Sequence, residues 1–319
     1  MEGLWRSGVS GEVLRARARL LSQIRAFFDE RQVLEVQTPC LMSKGATAPY
    51  LRQFQCRDAE DVEPVVGYLQ TSPEYAMKRL LAEDVGSIYQ IAKAFRGGEQ
   101  GCHHNPEFTL LEWYRCGFDY HQLMDEVESL FKCVTACSGI ERVSYRQIFI
   151  ERFEIDPWST SIDQLRNRGQ ALGIDLISSV EDETTWCQLI LATIESTLGQ
   201  DRPLFLYDFP PQQAMLAQVC MRDVAVAERF ELYWRGVELA NGFTELRAAD
   251  EQRRRFEQEQ QARVRLGLPD MQIDERLLAA LAQGLPPCAG VALGLDRLLM
   301  LKLGLSSLAE VIPFAGSRA

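Results

Sequence analysis

The chain has 319 residues, 46% of them hydrophobic and 25% charged, with a formal net charge of -11. This composition is ordinary for a globular protein with a large core, and the acidic balance argues against a broad nucleic-acid footprint, which needs clustered Lys and Arg. No apolar run is long enough for a membrane helix and no apolar leader opens the chain, so nine scattered cysteines read as reduced thiols of a cytoplasmic protein.

Residues 12–31 carry Leu14, Ala18, Leu21, Ile24 and Phe28 at helical spacing, which predicts a helix buried along that line. The chain then turns extended through Val33–Pro39, because proline disfavours helix in its predecessor. Residues 87–96 and 107–115 read as strands flanking a glycine-rich polar loop. A helix fits 120–136, with Cys133 and Cys137 expected as core thiols one turn apart. Residues 144–200 read as a helical insertion, where Ser144 with Gln147 and Ser161 with Gln164 have capping-box spacing. Strands resume at 203–208 and 229–241. The helix expected over 247–265 mixes Arg253, Arg254, Arg255 and Arg263 with Glu251, Glu257 and Glu259, and reads mainly as a solvated face. A glycine-punctuated helix near 294–303 closes the chain. With no internal repeat or low-complexity linker, the pattern predicts one α+β domain over 1–319, an antiparallel sheet flanked by helices.

Four segments carry candidate chemistry. On the strand Phe108-Thr-Leu-Leu-Glu-Trp-Tyr114, alternation puts Phe108, Leu110, Glu112 and Tyr114 on one face. A carboxylate and a phenol beside an aromatic ring suit a ligand with an ammonium group and a flat ring; a solvated glutamate on an edge strand is the alternative. Arg96, at a strand end beside a glycine-rich loop, suits a bidentate phosphate clamp, although a plain surface arginine reads the same way. In Glu231-Leu-Tyr-Trp-Arg-Gly-Val-Glu238, a two-residue turn at Arg235-Gly236 pairs Trp234 with Val237 and Tyr233 with Glu238. That register makes Glu231 and Glu238 diagonal neighbours on one face, a repulsive pair unless a cation such as magnesium bridges it; a one-residue slip makes them two solvated glutamates. Gly290-Val-Ala-Leu-Gly294-Leu-Asp-Arg297 leads from an extended stretch into a helix, with Arg297 as a second fixed positive charge. The three histidines, His103, His104 and His121, lie near Cys102 and Cys116 at spacings that match no usual zinc pattern.

Taken together, the order and wording of these segments resemble one family. Pro39 after a long helix, Phe95-Arg96 followed by His104-Asn105-Pro106-Glu107-Phe108, and Gly294-Leu295-Asp296-Arg297 resemble motifs 1, 2 and 3 of class II aminoacyl-tRNA synthetases. Thr71-Ser72-Pro73-Glu74-Tyr75, the run His104 to Tyr114, and Glu238-Leu-Ala-Asn-Gly-Phe-Thr-Glu245 narrow the resemblance to the lysyl subgroup. Since the motif 1 helix begins by about residue 12, without the N-terminal anticodon-binding domain of the tRNA enzymes, the chain is most similar to the stand-alone elongation factor P–lysine ligase family.

The resemblance implies activation of an amino acid by ATP with Mg2+, then transfer to a lysine side chain of translation elongation factor P. It assigns the catalytic roles to Arg96, Glu238 and Arg297: Arg96 on the α-phosphate, and Arg297 on the ring face opposite Phe108 and on the γ-phosphate. Glu231 and Glu238 hold magnesium, and His104, Asn105, Leu239 and Gly294 complete the nucleotide contacts. Ser72, Pro73 and Glu74 receive the backbone amine, Glu112, Tyr114 and Glu245 the side-chain ammonium, and Asn241 the carboxylate. Ala240 and Ala292 stand where lysyl-tRNA synthetases have glycine, which favours (R)-β-lysine over lysine, with Ala292 the main determinant. Motif 2 departs from the family: Gly98 holds the adenine-recognising glutamate position with Glu99 beside it, and Cys102 replaces an arginine. Motif 1 implies a homodimer. Two other readings are a truncated lysyl-tRNA synthetase-like enzyme acting on tRNA, disfavoured by the acidic charge, and a non-catalytic amino-acid-binding paralogue.

Overall fold

Ser10 opens the first helix, α1 (Gly11–Asp29), by accepting a hydrogen bond from the Val13 N–H at 3.3 Å. The helix buries Leu20, Ile24, Phe27 and Phe28. Phe28 stacks on Tyr89 at 4.4 Å and meets the edge of Trp113 at 5.4 Å. The expected stripe is therefore corrected in its first half: Leu14 is 42% exposed and Ala18 is exposed, while the buried apolar positions begin at Leu20.

The computed structural model describes residues 5–60, 65–174 and 182–316. Its contacts divide the chain into two units, Met1–Phe118 with Arg247–Ala319, and Asp119–Leu246. In the first unit, α1 is followed by β1 (Leu34–Glu35), β2 (Leu41–Met42), β3 (Gln55–Arg57), β4 (Val65–Leu69), α2 (Glu74–Leu81), β5 (Ile88–Phe95) and β6 (Glu107–Cys116). β1 pairs parallel with β5, and β5 pairs antiparallel with β6 from Ile88↔Tyr114 to Phe95↔Glu107. β2, β4 and β3 form a small antiparallel sheet in that order.

The second unit opens with α3 (Tyr120–Val134), fixed by a reciprocal box in which Asp119 accepts from Gln122 N and Gln122 accepts from Asp119 N. The helix ends two residues before the expected point, as Thr135 turns extended and its hydroxyl bonds Phe131 O. Cys137 thus lies beyond the helix and is half-buried, and Cys133 is exposed; the core-thiol expectation is corrected for both. There follow β7 (Glu141–Ser144), α4 (Tyr145–Phe153), α5 (Ile162–Ala171), α6 (Glu183–Glu195), β8 (Leu204–Phe209), β9 (Val219–Met221), β10 (Ala225–Trp234) and β11 (Val237–Thr244). Residues 175–181 of the expected helical stretch lie outside the described residues. β7 is parallel to β8, while β8, β9 and β11 all pair antiparallel with β10. Tyr145, Phe149, Phe153, Trp186 and Phe209 fill the core between helices and sheet.

The chain returns to the first unit as α7 (Ala249–Arg265), α8 (Glu275–Gly284), β12 (Cys288–Gly294) and α9 (Leu295–Lys302). β12 pairs antiparallel with β6 from Cys288↔Cys116 to Gly294↔Leu110. One face of α7 is buried, against the reading of a mainly solvated helix. Phe256 packs on Tyr75 at 5.9 Å, Glu259 accepts from the Thr47 hydroxyl, and Arg263 donates to Pro269 O and Ala48 O. Its charged residues are tolerated there because each of these has a partner. Both units are α+β with antiparallel pairing dominant.

Candidate active site

β6 is the spine of the first unit's site. Its alternation puts Phe108, Leu110, Glu112 and Tyr114 on one face, as expected from the sequence. Glu112 is 2% exposed and sits between Gln90 on β5 and Ala292 on β12 in the ladder, with the Tyr114 hydroxyl donating to its Oε1 at 2.7 Å. Ala292 is thus directly across the strand from the candidate ammonium-binding carboxylate, and Gly294 is across from Leu110.

At the other end of β6, the Arg96 guanidinium lies over the Phe108 ring at 5.2 Å. Its Nη1 is 4.0 Å from Glu99 Oε1, while its buried Nε has no hydrogen-bond partner among the described residues. A buried cationic N–H without an acceptor suits an anionic oxygen from a ligand. Gly97 N donates to Arg52 O at 2.8 Å, and the Arg52 side chain lies over Gly98: a Cβ there would meet its Cδ and Nη1 at 2.9 Å. With φ at +77°, Gly98 has a backbone that glycine adopts without cost. Burial, and next the Arg297 charge, lower the pKa values of His103 and His104 below 6.5. Asn105 is half-buried and uses both ends of its amide, donating to Glu107 O and accepting from Gly316 N.

Arg297 is placed by its neighbour Asp296. Asp296 is 3% exposed; its Oδ1 accepts from Arg17 Nη2 of α1 at 2.5 Å, and its Oδ2 accepts from the Thr109 N–H of β6 at 2.7 Å. The first turn of α9 is thereby tied to α1 and β6, and Arg297 Nε donates to His103 O at 3.0 Å.

The Ser72-Pro73-Glu74 segment is moored to the end of β5, where Phe95 N donates to Gln70 O at 2.9 Å and Gln70 Nε2 donates to Lys93 O at 2.7 Å. Glu74 starts α2 and accepts at 2.6 Å from Lys78, one turn on, whose side chain is 1% exposed. Burial, then the charges of Glu259 and Glu74, push the Tyr75 hydroxyl well up.

In the second unit the hairpin forms with Trp234 opposite Val237 and Tyr233 opposite Glu238, the expected register at the turn. A bulge between Leu232 and Tyr233 then shifts the ladder, so that Leu232 faces Ala240 and Glu231 faces Asn241. A straight hairpin would set Asn241 on the face opposite Glu238; the extra residue returns it to the face of Glu231, Tyr233 and Glu238. Ala240 pairs with Leu232 on the other face and is buried with Leu239. Glu245, just past β11, is fully buried. Glu231 Oε1 accepts from Arg229 Nη2 at 2.5 Å and Oε2 from the Tyr233 hydroxyl at 2.7 Å. Burial raises the pKa of Glu231, Arg229 lowers it, and the Glu238 charge raises it again.

Among the described residues no group of three or more His, Cys, Asp or Glu side chains could hold a metal by itself. Glu231 and Glu238 nevertheless fit a hard divalent cation. Each oxygen of Glu231 has a single donor and so keeps a lone pair, and the second carboxylate adds like charge for a cation to neutralise.

Comparison with known proteins gives the family. The family model of tRNA synthetases class II (D, K and N) matches residues 4–318. The chain belongs to this family. It is 47% identical to the elongation factor P–(R)-β-lysine ligases of Pectobacterium carotovorum subsp. carotovorum (strain PC1) and Salmonella typhi, over 99% of this chain and 98% of each relative.

Within this class II frame, Arg229, Tyr233, Lys78 and Asp296 are residues that the sequence expectations left out. Three had local signals. Arg229 and Tyr233 flank Glu231 at i-2 and i+2 on a strand, hence on its face, and Lys78 follows Glu74 at i+4 on a helix. Asp296 is legible only as an acid in a first helical turn; its partners come from residues far away in the chain.

Proposed function

We propose that the chain activates (R)-β-lysine, in preference to lysine, as an adenylate with ATP and transfers it to a lysine side chain of translation elongation factor P. The names of the relatives support the substrate and the acceptor. The observation that carries the reading is β6. One strand face presents Phe108 with Arg96 over its ring at one end, and Glu112 with Tyr114 at the other. The first pair suits a purine and its phosphate, and the second suits an ammonium group.

In the first step a carboxylate oxygen of the amino acid attacks the α-phosphorus, the bond to the bridging oxygen breaks, and pyrophosphate leaves. The carboxylate is already ionised, so this step needs no base, and the side chains act by placing the reactants. Arg96 holds the α-phosphate and offsets its growing charge, Arg297 holds the triphosphate end, and Asn241 holds the carboxylate. Glu74 takes the amine, while Glu112, Tyr114 and Glu245 take the side-chain ammonium. Glu231 and Glu238 would hold Mg2+, which when bound neutralises phosphate charge. In the second step the neutral amine of the acceptor lysine attacks the carbonyl carbon. The carbonyl–phosphate oxygen bond breaks, AMP leaves, and one proton is lost.

The position of Ala292 across from Glu112 supports it as the determinant of isomer choice, since its methyl shortens the space beside the ammonium end. One methyl-scale change is worth about 1–3 kcal/mol in discrimination, so Ala292→Gly narrows the preference for (R)-β-lysine about tenfold or more. Exposed Leu14 and Ala18 on α1 support pairing with a second copy. Nine free cysteines, and described residues without a helix long and apolar enough to cross a membrane, support a cytoplasmic setting.

The test has two stages. Pyrophosphate exchange into ATP, dependent on (R)-β-lysine, establishes adenylate formation; its absence removes the enzyme reading. Transfer of labelled β-lysine to elongation factor P and not to tRNA establishes the acceptor, and transfer to tRNA alone refutes it.

A further inference from the structure

Arg229 is 7% exposed, on β10, with the Phe209 ring 4.3 Å from its guanidinium carbon. Its three nitrogens each have a separate acceptor. Nη1 donates to Gln213 O at 2.9 Å, Nη2 to Glu231 Oε1 at 2.5 Å, and Nε to Asn241 Oδ1 at 3.2 Å. The bulge in the hairpin makes this possible, since it pairs Asn241 with Glu231 and brings both within reach of one side chain.

We infer that Arg229 is a positioning residue that sets the Asn241 amide and the Glu231 carboxylate together. This rests on the adenylate-forming reading above. A guanidinium can only donate, so the Asn241 oxygen must face it and the NH2 group is turned the other way. In that orientation the amide presents its NH2 as a donor to a carboxylate. The same guanidinium fixes one oxygen of Glu231, while Tyr233 fixes the other. It also leaves Arg229, Glu231 and Glu238 with one net negative charge when both carboxylates are ionised, so a Mg2+ held there would keep one positive charge for nucleotide phosphates. Lysine at this position keeps the charge and loses the planar fork.

The experiment is pyrophosphate exchange into ATP with (R)-β-lysine, on Arg229→Lys, Asn241→Ala and the double variant, with Mg2+ titrated. Arg229→Lys raises the amino-acid KM about tenfold, the scale of one lost hydrogen bond to a charged group, and raises the Mg2+ concentration for half-activity. In the Asn241→Ala background its effect on the amino-acid KM disappears, while its Mg2+ effect persists. A KM effect equal in both backgrounds, or a fall in kcat alone, overturns the inference. Asn241→Asp is a second variant that keeps the partner of Arg229 and so remains folded. It loses the donor and raises the amino-acid KM tenfold or more; an unchanged KM also overturns the inference. Exchange by the wild type is the reference, so failure of the adenylate-forming reading itself is seen separately.

Discussion

Asp296→Asn is the substitution that most directly probes how the first unit holds its site. The carboxylate is 3% exposed and has two donors on opposite oxygens, Arg17 Nη2 at 2.5 Å and Thr109 N at 2.7 Å. An amide keeps one acceptor and turns an NH2 toward either Arg17 or Thr109, a donor facing a donor. The change therefore removes one charge-assisted hydrogen bond and leaves a guanidinium 18% exposed without its counter-charge. Loss of one partner from a buried pair costs about 3–5 kcal/mol; with Arg17 partly wetted, the lower end of about 3 kcal/mol is expected. Arg17→Met reverses the defect and strands the carboxylate, while the double variant Arg17→Met/Asp296→Asn strands neither charge. Urea unfolding of the four proteins, at equal protein concentration, gives the coupling. The double variant should be less destabilised than the sum of the singles by at least about 1.5 kcal/mol, beyond the roughly 0.5 kcal/mol scatter of independent sites. Additivity within that scatter would refute the account of Asp296 as a joint between α1, β6 and α9. A KM for ATP unchanged in a folded Asp296→Asn protein would refute its role in placing Arg297.

Other outcomes follow from the same geometry. Gly98→Glu does not simply restore a missing carboxylate: at φ +77° its backbone is strained for any side chain, so it should destabilise the fold by about 1–3 kcal/mol and raise the KM for ATP, while the exposed Arg52 side chain can move aside. Gly98→Ala should show the same loss of stability in thermal unfolding, since the strain is in the backbone; full stability in both variants contradicts the argument from φ. For Glu231, a folded pKa raised above the ordinary 4.5 means a stability contribution fully present below pH 4.5 and lost as pH rises through the raised value. Urea unfolding of wild type and Glu231→Gln across that range should show the wild-type advantage falling as pH increases, and a rising advantage would reverse the assignment.

How much was legible beforehand differs from one segment to another. Alternation alone placed Phe108, Glu112 and Tyr114 on one face, because a fully paired central strand leaves no freedom in side-chain parity. The Arg235-Gly236 turn was legible for a similar reason, as its local backbone demand is written in two residues. Five residues past that turn the same reasoning does not reach the face of Asn241, which the bulge sets. A bulge is a compromise between two strands and the layers on either side, and no local residue announces it. The α1 stripe shows the same limit: helical spacing says which residues share a face, yet only the tertiary structure decides that Phe28 meets Tyr89 and Trp113, that Leu20 is covered and that Leu14 is not.

By itself the sequence determined the longer helices and strands, the family, and which residues share a face within one element, so that Glu74 with Lys78 and Glu231 with Arg229 carry a local signal. Each of these depends on the repeat of a single element, which covalent geometry fixes. The tertiary structure alone decided that Asp296 joins Arg17 to Thr109, that Arg52 lies over Gly98, and that Arg229 reaches both Glu231 and Asn241. Those contacts span up to 279 residues of chain. Those at Asp296 and Arg229 exist because buried charges must find partners, and the fold as a whole determines which partners are near.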